Sequence, residues 1–168
     1  TFTIGTSTYA IVTGYTADTV QILDISDPTN IVAKDSLENS DSLELDGPWG
    51  VDVFTDGSST YAIVTGYVDD GVQIIDISDP TNISAVDSPS GSLEHGGDVK
   101  LDYPLGVDTF TIGLTTYAIV PSTTFETDDG SVQIIQLAID DEFATKNINV
   151  SISESLTLAD AITDEATI

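Results

Sequence analysis

The sequence predicts an all-β protein, propeller-like or a stacked-sheet array, made of about three four-stranded repeats plus a C-terminal extended strand. A 23-residue segment, residues 61–83, occurs almost unchanged at residues 9–31 and in divergent form at residues 117–139, with starts 52 and 56 residues apart. An internal repeat at such a period indicates a modular array. Each copy contains short β-branched or aromatic runs bounded by Gly, Pro, Asp and Ser, which is typical of strands.

Each full unit contains four pieces. The first has the pattern P-x-G-V-D-x-F and ends at Phe54 or Phe110, the second is YAIV, the third is VQII-D-I-S, and the fourth is a variable acidic segment. Four short strands at this period are typical of a propeller blade. The sequence therefore predicts one repeat module over residues 1–146, with units near 1–45, 46–101 and 102–146, followed by a tail over 147–168.

The apolar pattern and the turn residues define the strands further. In residues 61–67 and 72–78 neither alternating face is fully polar, which predicts strands buried on both sides, as in stacked sheets. Asp70-Gly71 suits a hairpin turn, and residues 79–82 suit a type I turn with Pro at its second position. The segments 34–45 and 86–101 differ in length by four residues and are predicted to be exposed loops.

Composition restricts the class of partner. The chain has 3 basic and 29 acidic residues, a net charge of −26, and 40% hydrophobic residues. Such a surface repels nucleic acid and anionic membranes, and no apolar run is long enough for membrane insertion. Cysteine is absent, so no disulfide or thiolate site can form. Two N-glycosylation patterns, at Asn82 and Asn149, favour an extracellular or cell-surface location.

The segment 71–82, G-V-Q-I-I-D-I-S-D-P-T-N, resembles the LVIVD-type β-propeller repeat of bacterial and archaeal secreted and surface proteins. Residues 9–30 and 61–82 match its pattern closely, and the third copy matches through Ile135. The resemblance implies a propeller-like fold and no settled activity, so no catalytic residue is carried over. Propellers close with about four to eight blades. Either several chains complete one ring, the chain belongs to a longer array, or the module polymerises.

Both ends of the repeat array favour self-assembly. The first copy begins with Phe2 and Ile4 and lacks its own P-x-G-V-D piece, which predicts an open sheet edge. The tail alternates apolar and polar residues, which predicts a half-buried strand, although a helix over residues 155–166 is the competing interpretation. We expect this strand to be donated to a neighbouring copy, in a head-to-tail contact that forms a ring or a filament. The apolar positions expected to be donated are Ile148, Val150, Ile152, Leu156 and Leu158.

A second interpretation of the tail is that it folds back on its own third unit. The third copy has lost the SDPTN turn and reads QLAIDDEF instead. The tail would then replace the fourth strand of that unit.

Calcium is the one cofactor that the sequence suggests. Asp69 and Asp70 occupy a turn equivalent to that of Asp128 and Asp129, and adjacent carboxylates with backbone carbonyls can supply the six to eight oxygens that calcium needs. No EF-hand spacing is present. Ordinary turn chemistry is the alternative explanation of these residues.

Recognition and catalysis are two further classes of function. Tyr15, Trp49, Tyr67 and Tyr103 could form a surface that binds a glycan or another surface protein, although Leu105 stands at the position of Trp49 in the third copy and indicates a packing role. The single histidine, His95, lies in a Gly-rich loop and is expected to be solvent-exposed. The sequence contains neither a G-x-S-x-G elbow nor a phosphate-binding loop. We therefore expect no enzymatic activity.

Overall fold

The computed structural model describes residues 1–86, 91–97, 99–123, 130–137 and 148–151, the last of these for the backbone alone. Its described strands form three antiparallel sheets. Sheet 1 contains β1 (Phe2–Ile4), β2 (Ser7–Gly14), β3 (Thr19–Asp24) and β4 (Val32–Glu38). Sheet 2 contains β5 (Pro48–Asp56), β6 (Ser59–Gly66), β7 (Gly71–Asp76), β8 (Ser84–Ala85) and β9 (Ser92–Glu94). Sheet 3 contains β10 (Asp108–Ile112), β11 (Thr115–Ser122), β12 (Ser131–Leu137) and β13 (Ile148–Ser151).

Each sheet follows the chain as a simple meander. The strand orders are β1-β2-β3-β4, β5-β6-β7-β8 and β10-β11-β12-β13, and β9 also pairs with β7. The P-x-G-V-D-x-F, YAIV and VQII pieces supply the first three strands of the middle sheet. The prediction of an all-β array of four-stranded repeats is therefore confirmed. Apart from one short 3-10 turn at Tyr15–Ala17, the described residues contain no helix, and so none that could cross a membrane.

A stacked aromatic pair joins the first two strands of every sheet. The two residues of each pair lie directly opposite each other in the ladder. Directly opposed aromatic side chains stabilise antiparallel strands. The pairs are Phe2–Tyr9, Phe54–Tyr61 and Phe110–Tyr117, with ring centroids 5.5, 5.6 and 5.5 Å apart.

The core consists of two apolar layers, one on each face of sheet 2. Ile75 and Ala62 pack against sheet 1, and Ile63 and Ile74 pack against sheet 3. The side chains of Ile63 and Ile75 are fully buried on these opposite faces. Burial on both sides, expected from the mixed alternation, is confirmed for the middle unit. Sheets 1 and 3 each bury one face in the described structure.

The turns after the third strands have the predicted form. The Asn82 N–H donates to the Asp79 carbonyl at 3.0 Å, which closes the four-residue turn. The Asp79 carboxylate also accepts from the Thr81 N–H at 2.9 Å.

The hairpin between β6 and β7 places Asp70 in the left-handed region at φ +55°, and Gly71 begins the next strand.

The prediction that segments 34–45 and 86–101 are exposed loops is wrong in part, because both contain outer strands. Five positions separate Ala33 from Glu38 in β4, whereas nine separate their counterparts Ala85 and Glu94. The four extra residues of the second unit therefore lie within its fourth strand and divide it into β8 and β9. An edge strand absorbs such an insertion because only one side of it is paired.

Side chains of one unit hold the backbone of the next. The Asp52 carboxylate accepts from the N–H and the hydroxyl of Thr109, at 2.7 and 2.6 Å. Asp18 accepts from the Gly47 N–H at 3.0 Å, and Asp70 accepts from the Tyr103 N–H at 2.8 Å. The last two contacts are equivalent and repeat from unit to unit, so they fix the offset between neighbouring sheets.

The first strand of sheet 2 approaches the segment that precedes β10 closely at Gly50. A Cβ atom built on Gly50 would lie 2.8 Å from the Cα of Gly106, whereas a Cβ on Gly106 would have no neighbour within 4 Å. We expect Gly50→Ala to lower the free energy of unfolding by about 1–3 kcal/mol, because backbone must move to relieve the contact. Chemical denaturation measures the change. Gly106→Ala is the matched control and should be close to neutral; equal losses in both variants would contradict the prediction.

Candidate functional site

The second strand of sheet 1 has an open edge. β1 pairs with residues 7–9 alone, whereas β5 pairs with β6 along its length from Ser59 to Gly66. Within the described part of the chain, no strand covers the corresponding edge of β2 over residues 10–14. Unpaired N–H and C=O groups of this kind form a site for strand addition.

Two residues expected to take part in assembly lie inside the fold. Phe2 is buried in the core between sheets 1 and 2, and Ile4 packs against that core. Both side chains therefore contact the same chain and do not line the open edge.

The start of the tail pairs with its own unit. Ile148 and Val150 lie in β13, opposite Ile134 and Val132 of β12. This pairing is what the fold-back interpretation predicts, and it extends over Ile148–Ser151. Asn149, one of the two glycosylation candidates, lies in the same strand. The expected donor residues Ile152, Leu156 and Leu158, and the competing helix over residues 155–166, lie outside the described residues.

The four aromatic residues singled out in the sequence come together at one end of the sheets. Tyr67 is the centre of this aromatic cluster, and its ring centroid lies 5.2–6.0 Å from those of Tyr15, Trp49 and Tyr103. Trp49 is 53% exposed and Tyr15 is 43% exposed. The expectation that Trp49 is a core packing residue is therefore wrong, because it lies at the start of β5, outside both core layers. Its ring contacts other members of the aromatic cluster, Tyr15 and Tyr67.

Tyr103 reaches the aromatic cluster in an unusual backbone conformation. Its φ is +47°, in the left-handed region, and its counterpart in the second unit is Gly47 at φ +60°. A bulky side chain is rare in this region. The Asp70 carboxylate, which accepts from the Tyr103 N–H, helps to hold the conformation.

An acidic groove of about 660 Å³ lies beside the aromatic cluster, between sheets 1 and 2. Glu44 is its most buried carboxyl group, 9% exposed, and Asp46, Asp69 and Glu94 line the groove with it. Burial raises the pKa of Glu44 to about 7, and the hydrogen bond to Glu94 and the negative charges of Glu94 and Asp69 add to this effect. Glu44 therefore holds a proton near neutral pH, when most carboxyl groups are ionised.

Sequence reasoning missed this groove. Its residues come from the β2–β3 and β6–β7 connections, the connection between sheets 1 and 2, and the outer strands β4 and β9, which are far apart in the chain. One signal was present: Glu44 stands between Leu43 and Leu45, at a position where the second unit has Lys100. The Glu44 N–H donates to the buried Gln73 side chain at 3.3 Å, and the Lys100 N–H donates to Gln133 at 3.0 Å. The backbone contact repeats, but the charge differs.

The proposed calcium residues act on the backbone in this structure. Asp69 accepts from the Asp46 N–H at 2.6 Å, and Asp70 accepts from Tyr103. Among the described residues, no group of three or more potential metal ligands could hold an ion. Asp128 and Asp129 lie outside the described residues. Calcium binding at these turns stays a prediction.

Two further residues have the predicted exposure. His95 is exposed, and its Nδ1 accepts from the Leu101 N–H at 3.2 Å, so it supports a loop. Asn82 is exposed at the turn after β7, where an acceptor asparagine would be accessible. Its glycosylation stays a prediction.

The LVIVD repeat family matches residues 14–38 and 59–88. The first range contains β3 and β4, and the second contains β6, β7 and β8. The chain therefore contains two repeats similar to those of the LVIVD family. A search of curated proteins finds no match. The matched ranges form parts of sheets 1 and 2, while most of the aromatic cluster and of the acidic groove lies in the connections between strands.

The raised pKa of Glu44 predicts a pH-dependent stability. Because the folded pKa of about 7 exceeds the ordinary value of 4.5 for a glutamate, the stability that protonated Glu44 contributes is lost as pH rises from about 4.5 to about 7. We expect Glu44→Gln, which stays neutral, to raise the thermal midpoint relative to the native chain above pH 7 and to match it near pH 4.

Thermal melts between pH 4 and pH 8 make this comparison. Glu38→Gln is the matched control, because Glu38 also lines the groove but is exposed. Parallel pH profiles for the native chain and Glu44→Gln would contradict the role given to burial.

Proposed function

We propose that this repeat protein is a non-catalytic, extracellular structural subunit that assembles head to tail with copies of itself by donating its C-terminal strand. The open edge of β2 over residues 10–14 carries the proposal. An added strand would satisfy the backbone groups of this edge and continue sheet 1 as β5 continues sheet 2. The contact is heterologous, and so it forms rings or filaments.

The structure of the third sheet narrows the segment that is donated. Ile148–Ser151 already closes sheet 3, so its donation would require breaking that pairing. The residues after Ser151 carry the remaining apolar positions, Ile152, Leu156 and Leu158. We assign donation to this later part of the tail, and its apolar side chains would lie against the face of sheet 1.

Three sequence properties support an extracellular role. The chain lacks cysteine, is strongly acidic and carries two glycosylation patterns, one of them at the exposed Asn82. An acidic surface disfavours nucleic acid as a partner. The partners of this proposal are copies of the same chain, with glycans or other surface proteins as further candidates.

Deletion of residues 152–168 tests donation while keeping β13. We expect the native chain to form rings or filaments in electron micrographs and the truncated chain to remain dispersed, because the edge of β2 then lacks its partner. Micrographs with and without calcium also test the proposed cofactor, which should change the assembly if it binds.

A peptide covering residues 152–168 provides the control. It should bind the truncated chain in a fluorescence anisotropy titration, and a peptide with Ile152, Leu156 and Leu158 changed to Ser should bind at least about tenfold more weakly, since apolar burial contributes to such contacts. Assembly that persists after truncation would refute donation.

The exposed aromatic cluster favours a second function, adhesion through binding of a glycan. Exposed Trp and Tyr rings offer flat apolar surface with a polar edge, which suits a sugar ring. The exposed Trp49 and the adjacent carboxylates of the groove supply both kinds of contact.

Glycan-array binding of the native chain and of Trp49→Ala tests this second function. We expect binding to fall by about tenfold or more in Trp49→Ala, because loss of one interfacial aromatic anchor removes about 1.4 kcal/mol or more. Leu105→Ala, at the equivalent and also exposed position of the third unit, is the control. No binding by the native chain, or equal binding by Trp49→Ala, would exclude this function.

A further inference from the structure

The contacts between neighbouring sheets always join two different faces. In sheet 2 the face toward sheet 3, here called the aromatic face, carries Phe54, Tyr61, Ile63, Val72 and Ile74. The opposite face, here called the alanine face, carries Ala62, Val64, Ile75, Ile77 and Ile83 and packs on sheet 1. In both contacts the aromatic face of one sheet packs on the alanine face of the next sheet in the chain.

Two faces of these kinds remain uncovered by the described residues. The alanine face of sheet 1 exposes Val12 at 40% and Ile31 at 57%, whereas its counterpart in sheet 2 exposes Val64 at 0% and Ile83 at 7%. On the aromatic face of sheet 3, Ile119 is 36% exposed, whereas Ile63 is fully buried. The described sheets therefore leave one face of each kind without a neighbouring sheet.

Both uncovered faces retain the residues of the buried ones. The alanine face of sheet 1 differs from that of sheet 2 in a single conservative change and carries Ala10, Val12, Leu23, Ile25 and Ile31. The aromatic face of sheet 3 is identical to that of sheet 2 at these positions and carries Phe110, Tyr117, Ile119, Val132 and Ile134. The third unit has changed at neighbouring positions, for example Pro121 for Thr65 and Gln136 for Asp76. The apolar residues of its aromatic face are unchanged.

We propose that the aromatic face of sheet 3 packs on the alanine face of sheet 1 in a second copy of this chain. A copy is the occupant because each uncovered face has the same residues as a face that already fits the other kind within the chain. The inference rests on the proposed head-to-tail assembly and adds to it the apolar interface, which does not involve the tail. The described residues of two copies contribute six sheets, within the range of about four to eight that closes propellers.

A polar pair gives this contact its register. Within the chain Asp52 binds the N–H and hydroxyl of Thr109 across the interface of sheets 2 and 3. Asp108 and Thr1 are the equivalents of these two residues in the third and first units, and both are exposed. In the proposed contact the Asp108 carboxylate of one copy accepts from the Thr1 hydroxyl of the next.

Charge opposes the contact over long range. Each copy has a net charge of −26, so two copies repel each other at low ionic strength. Salt shortens the range of this repulsion to about 3 Å at 1 M. Association through apolar faces should therefore strengthen as salt increases, the reverse of an association driven by ion pairs.

Sedimentation velocity of the full chain, in 0.05 and 1 M NaCl, tests the interface with one substitution on each face. We expect Ile119→Asp and Val12→Asp each to weaken association by about tenfold to a hundredfold, since each places a charge in an apolar contact. Leu114→Asp is the control, because Leu114 is fully exposed at the β10–β11 turn, and it should assemble like the native chain. Circular dichroism verifies that each variant is folded.

A mixture of the two variants tests the head-to-tail arrangement. Ile119→Asp keeps a native sheet 1 face and Val12→Asp keeps a native sheet 3 face, so the mixture should form one-to-one dimers although each variant alone stays monomeric. Dimers formed by either variant alone would indicate like-with-like pairing and overturn the inference.

The remaining outcomes separate this interface from strand donation. If both face variants assemble normally while deletion of residues 152–168 abolishes assembly, the interface is refuted and the donation proposal stands. If the face variants fail and the truncated chain still assembles, the interface stands and donation is refuted. A native chain that remains monomeric at both salt concentrations refutes both.

Discussion

The middle sheet is covered on both faces, and the rest of the structure depends on this arrangement. Ile63 in β6 and Ile75 in β7 lie on opposite faces of sheet 2 and belong to different core layers. Sheet 2 therefore packs against both sheet 1 and sheet 3. A single sheet with two apolar faces cannot be stable in water without them. Because the three units repeat the same residues, the packing on the two faces of the middle sheet also shows which contact each outer sheet lacks.

Carboxylates have a structural role in this acidic chain. Asp18, Asp52 and Asp70 each accept hydrogen bonds from the backbone of the following unit. Charge-assisted bonds of this kind are about twice as strong as neutral ones. Part of the negative charge is thus used to set the offset between sheets, and a count of acidic residues alone does not indicate metal binding. Glu44, by contrast, is about half protonated at pH 7, because its burial raises its pKa to about 7.

The repeat made the fold predictable, because three copies of one pattern identify the strands and the turns at once. The candidate sites were less predictable, for physical reasons that differ between them. Trp49 was misjudged because its strand extends beyond the core layers, where residue type does not determine burial. The groove around Glu44 arises from connections that meet only after the sheets stack. The open edge of β2 could be predicted from the sequence, because strand pairing depends on the presence of a backbone segment and little on the identity of its side chains.

The divided outer strand of the second unit shows where this architecture tolerates change. β8 and β9 both pair with β7, and the extra residues between them leave β5, β6 and the two core layers in the same register as in the first unit. The length difference between the first two units thus lies in the outer strand. An array of this kind can therefore diversify its outer surface, unit by unit, while the internal stacking that sets its geometry stays unchanged.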